Sequence, residues 1–430
     1  MNLHDALSEA HARYRARNPA SERHLAEAAL HLPGGNTRSV LFHPPFPLTM
    51  VRGEGARLWD ADGHRYLDAL GEFTAGLYGH SNVPIRRAIT AALADGVSLS
   101  SHTQREVALA AEIQRRFASM ELMRFTNSGT EASMLAIALA RVHTRRNKVL
   151  VFDGAYHGGV LSFGKGGSPI NLPHEFLLAT YNDLASVEAL FRAHGDGIAA
   201  ILVEPVLGAG GCIPGEPDFL HGLGEIAARH GALLILDEVQ TSRLSFGGRQ
   251  ALLGLKPDLT VIGKYFGGGL SFGAFGGRAE IMERFDPRRA DALGHAGTFN
   301  NNVLSMAAGL AGLQQVLTAE ALDALNQRGE RLRARLNAAL EQHGLPARYT
   351  GMGSVMSLHG TAAPVRCPAD LANANNALRE LLYFDLLERG VYTAWRGLVA
   401  LSLPFDDAAC DAMVGALDDA ARSRKGLLGR

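Results

Sequence analysis

Residues 232–238 read Ala-Leu-Leu-Ile-Leu-Asp-Glu, five apolar residues in a row closed by two acids. A run this short, apolar throughout and without alternation, suits a strand covered on both faces, as in a parallel sheet. Asp237 then stands at the carboxyl end of that strand, the end that faces the ligand crevice in open α/β sheets. Lys148–Phe152, Ile198–Glu204 and Leu259–Ile262 repeat the pattern, with helical stretches such as Asp218–His230 between them. The alternation predicts an α/β fold, a mostly parallel sheet flanked by helices.

The two ends of the chain read differently. Residues 1–31 predict a polar amphipathic helix, stopped by Pro33-Gly34-Gly35-Asn36. Short extended pieces follow at Leu48–Val51, Ala56–Asp60 and Arg65–Ala69, as in a small sheet. From about residue 315 the chain turns charged and helical (Ala319–Glu341), then mixes short strands and helices. The expected division is a segment 1–70 belonging to a small α+β domain, a large domain 71–314, and the rest of the small domain at 315–430.

Over 430 residues the formal net charge is −1, so no basic excess points to nucleic acid or an anionic membrane. Three cysteines lie far apart and match no CxxC spacing. The first residues are charged rather than apolar, and no run approaches the roughly 18 apolar residues of a membrane span. These features predict a cytoplasmic protein without a membrane or nucleic-acid partner.

Three places carry chemistry. After Asn127-Ser128-Gly129-Thr130-Glu131-Ala132, apolar positions 132, 135, 136, 139 and 140 fall on one helix face. Ser128, Gly129 and Thr130 therefore open a helix, where free N–H groups and the dipole favour an anion; a plain hydroxyl cap fits the same residues. Asp237 closes its strand and needs a partner if buried, although a turn-capping acid is the bland alternative. Lys264 ends the apolar run Leu259–Gly263 and precedes Gly267-Gly268-Gly269. A core-edge lysine is poorly explained by packing, though a snorkelling lysine would look alike. The glycines would let backbone approach a flat ligand. A Walker loop fails, because Asp258 occupies its first glycine position and Tyr265 follows the lysine. The Gly208–Gly211 cluster lacks GxGxxG spacing, and His157 reads as a packing or hydrogen-bonding residue rather than a metal ligand.

Taken together, NSGTEA (127–132), GAYHGG (154–159), VEPVLGAGG (203–211), LDEVQTSR (236–243), IGKYFGGG (262–269) and GTFNNN (297–302) resemble the class III aminotransferases. These are pyridoxal-5′-phosphate (PLP) enzymes of fold type I, and the resemblance spans nearly the whole chain. GGNTRSVLFHPPFPL (34–48), GKYFGGGLSFGAFGG (263–277), GTFNNNV (297–303) and WRGLVALSLP (395–404) look most like the glutamate-1-semialdehyde aminomutase-like branch. Within that branch they look like the aminotransferases of β-amino acids such as β-phenylalanine.

The resemblance implies that Lys264 links covalently to PLP and shuttles the proton, while Asp237 holds the ring nitrogen. Tyr156 and Val239 would cover the two ring faces, Gln240 would reach the phenolic oxygen, and Glu204 would support the site. Ser128, Gly129 and Thr130 would bind the phosphate. Thr298 would add a phosphate contact from a neighbouring subunit, implying a homodimer with shared sites. Arg38 and Arg396 match arginines that grip carboxylates, work suited to a planar fork of donors. The implied reaction moves an amino group from a β-amino acid to an α-keto acid such as 2-oxoglutarate or pyruvate. A 2,1-aminomutase, a PLP racemase and a non-catalytic PLP-fold binding protein are the alternatives.

Overall fold

The continuous apolar runs meet in one seven-stranded sheet. In the computed structural model, which describes residues 2–427, the chain divides into two compact units. The large one comprises residues 83–326 with 365–370, and the small one takes the remainder from both ends.

The large unit's strands are β1 (Leu122–Thr126), β2 (Lys148–Phe152), β3 (Glu175–Ala179), β4 (Ile198–Val203), β5 (Leu233–Asp237), β6 (Leu259–Gly263) and β7 (Gly273–Gly277). Their order across the sheet is β1-β7-β6-β5-β4-β2-β3, parallel except for β7, which runs antiparallel to both its neighbours. Every residue of β4, β5 and β6 is buried, which is why these strands carry no polar alternation.

β7 was not foreseen, because Gly-Ala-Phe-Gly-Gly has little strand propensity. Its glycines are there for closeness. A Cβ on Gly273 would come within 2.1 Å of the Ser128 carbonyl oxygen, and one on Gly277 within 2.1 Å of that of Asp258. Two of the three glycines after Lys264 also serve packing. A Cβ on Gly268 would lie 2.5 Å from the Ala308 backbone, and one on Gly267 2.5 Å from Phe272 Cβ. Close approach of helix Val303–Ala311, rather than of a ligand, is what Gly268 permits.

In the small unit the expected single N-terminal helix is two, Leu3–Arg17 and Pro19–Ala28. Pro19 has no N–H and keeps the preceding residue out of the helical region, so Asn18 sits at φ −125°, ψ 49°. Ala6, Ala10 and Tyr14 pack with Phe46, Tyr66, Leu381 and Phe384 in an apolar core. Met50–Glu54, Arg57–Asp60 and Arg65–Asp68 form an antiparallel sheet that Val391–Tyr392 joins in parallel. Arg348–Met352, Val355–His359 and Leu398–Ala400 form a second, antiparallel sheet.

Candidate active site

The carboxyl ends of β1, β4, β5 and β6 gather the polar groups of the large unit. Asp237 ends β5 and is 4% exposed. A carboxylate so enclosed requires donors, and it has two. Oδ1 accepts the Val239 N–H at 3.0 Å, and Oδ2 lies 2.7 Å from Nδ1 of the buried His157. His157 thus has a hydrogen-bonding role, as its sequence context suggested, but the partner was not readable there.

Lys264 follows β6 with φ +59°, a left-handed conformation that a lysine adopts at a cost. Loss of water around its amine lowers the ammonium pKa to about 8, against the pull of Asp237 and Glu204. At that value roughly a tenth of the amine is unprotonated and nucleophilic at pH 7, far more than for an ordinary lysine. Glu204 follows β4, its Oε1 accepting the Tyr156 N–H at 2.9 Å and its Oε2 the Gly208 N–H at 3.0 Å. Burial lifts its carboxyl to about 7 despite the opposing influence of His157. Gln240 presses on Gly208 so closely that a Cβ there would meet its Oε1 at 1.8 Å. Its Nε2 lies 4.0 Å from the Cys212 sulfur. Burial pushes the Cys212 thiol up to about 12, so it is an unreactive neighbour that the sequence did not single out.

β1 delivers the start of helix Gly129–Thr144. Ser128 caps it, its Oγ accepting the Glu131 N–H at 3.2 Å, which leaves the hydroxyl proton free to donate elsewhere. The cap does not use up the Ser128 hydroxyl. A Cβ on Gly129 would lie 2.9 Å from Val239 Cγ2, and one on Gly158 2.3 Å from Thr130 Oγ1. These glycines draw the helix start, Val239 and the His157 loop together. Tyr156 is 48% exposed beside them. Thr298 is exposed in a turn whose Asn300 Oδ1 accepts from Asn127 Nδ2 at 3.1 Å.

Both candidate carboxylate-binding arginines belong to the small unit and are exposed. Arg38 already has an acidic partner, Nη2 donating to Glu72 Oε1 at 2.8 Å, and its guanidinium lies 5.7 Å from the Phe73 ring centre. Glu72 and Phe73 belong to a turn, Gly71–Thr74, in which four successive residues have φ of +52°, +46°, +53° and +79°. A left-handed residue other than glycine costs roughly 1–2 kcal/mol, so Glu72, Phe73 and Thr74 together cost several. Nothing in Glu-Phe-Thr announces this turn. Arg396 follows Trp395, whose indole lies 5.9 Å from the Arg379 guanidinium.

An amine that loses its proton readily, a buried acid with its own donor, and a helix start suited to an anion are what a phosphorylated aromatic aldehyde needs. That combination defines a PLP-dependent enzyme. The family model for class III aminotransferases matches residues 42–420, and the chain belongs to that family. It is 51% identical over 428 residues to the β-phenylalanine transaminase of Variovorax paradoxus, covering 100% of this chain and 98% of that one. The crystal structure of a β-phenylalanine aminotransferase from that organism superposes with a TM-score of 0.96 over 98% of each chain. The glutamate-1-semialdehyde 2,1-aminomutase 2 of Brevibacillus brevis is 39% identical over 386 residues, 85% of this chain and 89% of that one. Among the described residues no helix is long and apolar enough to cross a membrane.

Proposed function

We propose that the protein transfers the amino group of a β-amino acid, with an aryl donor such as β-phenylalanine preferred, to an α-keto acid such as 2-oxoglutarate or pyruvate. The observation that carries the reading is the Lys264 amine, lowered to about 8, beside the His157–Asp237 pair at 2.7 Å. The donor class rests on the 51% identity to the β-phenylalanine transaminase.

The residues present fit PLP. When bound, that group supplies an electron sink that makes the C–H bond beside the donor's nitrogen acidic. Asp237 would hold the ring nitrogen, with His157 keeping the carboxylate oriented. Ser128, Gly129 and Thr130 anchor the phosphate at the helix start. Tyr156 and Val239 would flank the ring, and Gln240 would reach its oxygen. Glu204, tied to two backbone N–H groups, fixes the Tyr156 and Gly208 loops rather than touching the reacting atoms. Lys264 anchors the cofactor and takes the proton from the donor's amine-bearing carbon through Nζ. Arg38 and Arg396 bind substrate carboxylates. The exposed turn at Thr298 suits a homodimer in which a second copy supplies that hydroxyl to the phosphate, and the enzyme acts in the cytoplasm.

The test is the visible spectrum of the holoenzyme, taken before and after β-phenylalanine is added without keto acid. The expected result is loss of the cofactor's band, restored by 2-oxoglutarate or pyruvate. A spectrum that β-phenylalanine leaves unchanged refutes the donor. Turnover of glutamate-1-semialdehyde without any keto acid would favour an aminomutase instead.

A further inference from the structure

The turn Gly71–Thr74 is built at a cost and held in place on several sides. Asp68 Oδ1 accepts from the N–H groups of Leu70 and Gly71, both at 3.0 Å, and Asp68 Oδ2 faces His80 Nε2 at 2.8 Å. Ala75 N–H donates to the Glu72 carbonyl at 3.1 Å and Gly76 N–H to that of Gly71 at 2.9 Å. Gly71 is required twice over, since φ is +52° and a Cβ would lie 2.5 Å from the Ala400 carbonyl oxygen. The turn cannot relax without breaking these contacts.

What it presents is the puzzle. The Arg38 and Glu72 side chains are 48% and 55% exposed, and an ion pair that open adds little to stability. Three strained residues are therefore not repaid by the pair they hold out, and strain of this kind gathers at functional positions. The turn fixes two surfaces for one guanidinium, the Glu72 carboxylate at Nη2 and the Phe73 ring. Arginine has five N–H donors in a rigid fork. Glu72 engages one of them, and the Arg38 side chain is 48% exposed, so the fork keeps donors for a second carboxylate.

We infer that the Gly71–Thr74 turn is a seat for Arg38, with Glu72 as a positioning residue that aims the guanidinium at the donor's carboxylate. The inference rests on the assignment of Arg38 as a carboxylate ligand. Holding a flexible arginine in one geometry before the substrate arrives removes part of the ordering cost of binding. The effect belongs to carboxylate binding and not to the chemistry at the amine-bearing carbon.

The experiment uses holoenzyme carrying Glu72→Ala, Glu72→Gln or Arg38→Met, with steady-state kinetics for β-phenylalanine and inhibition by 3-phenylpropanoate, which has the carboxylate but no amine. Glu72→Ala is expected to raise KM and the inhibition constant in parallel, by about three- to tenfold, with kcat unchanged. Glu72→Gln retains an accepting oxygen and is expected to stay within about twofold of wild type. Unchanged constants in Glu72→Ala, alongside a raised KM in Arg38→Met, overturn the seat and leave the Arg38 assignment standing. A fall in KM in Glu72→Ala also overturns it, because Glu72 would then compete with the substrate for Arg38. An Arg38→Met enzyme with normal KM removes the assignment and the seat together.

Discussion

Replacing His157 with leucine tests the pair on which the proposed chemistry depends. Asp237 is 4% exposed and receives two hydrogen bonds from the protein, one from the Val239 backbone at 3.0 Å and one from His157 at 2.7 Å. Leucine removes the second donor and offers nothing in return. A hydrogen bond to an ionised group contributes about 1.5–3 kcal/mol. If that stabilisation serves the ionised Asp237 that grips the ring nitrogen, kcat/KM falls by about 10- to 150-fold. Cofactor affinity should weaken in the same variant. The assay is kcat/KM for β-phenylalanine at saturating PLP, with thermal unfolding checked to show that the fold survives. Glutamine, whose amide can still donate, should recover most of the loss. A His157→Leu enzyme within threefold of wild type, with full PLP content, would refute the argument, since the buried acid would then need only its backbone donor.

Three further outcomes follow from the same geometry. Capture of PLP by the apoenzyme needs the unprotonated Lys264 amine, so its rate should climb about tenfold per pH unit below 8 and level off above about 9; stopped-flow absorbance checks this, and a rise continuing to pH 10.5 would contradict the lowered value of about 8. His43 is buried, with its pKa lowered to about 4, so the unfolded chain takes up a proton below 6.5 that the folded chain refuses; stability is full above pH 6.5 and falls by about 3 kcal/mol on the way to pH 4. Melting temperatures between pH 7.5 and 5 should therefore fall more steeply in wild type than in His43→Gln. Gly268→Ala combines a φ of +64° with a Cβ 2.5 Å from the Ala308 backbone and should destabilise the protein by about 2–5 kcal/mol, read as a lower melting temperature.

The parts of this protein that were legible in its sequence are those whose physical cause is local. Ala232–Asp237 and Leu259–Gly263 declare buried strands because full burial on both faces forbids polar residues, and a strand that ends in Asp237 or Lys264 declares its crevice end. Ser128-Gly129-Thr130 declares a helix start by the same local logic. What escaped depends on contacts distant in sequence. Nothing near Gly273–Gly277 says strand, because its reason is the nearness of Ser128 and Asp258. Nothing near His157 names Asp237, 80 residues away. Gly267-Gly268-Gly269 was visible as an anomaly, but the neighbours of Gly267 and Gly268, Phe272 and Ala308, were not, since a glycine reports only that something comes close.

The turn at Gly71–Thr74 is the extreme case. Gly71 alone hints at it, and Glu72, Phe73 and Thr74 are residues that ordinarily avoid positive φ. Local propensity and tertiary structure conflict here more sharply than at any strand of the large unit. The exposed Glu72–Arg38 ion pair does not by itself repay the conflict. Isolated non-glycine residues at positive φ occur elsewhere, but three in succession follow only Gly71 among the described residues, and a disagreement of this size is expected where the molecule binds something. That same expectation singles out Lys264, itself at φ +59° on the end of an otherwise regular strand.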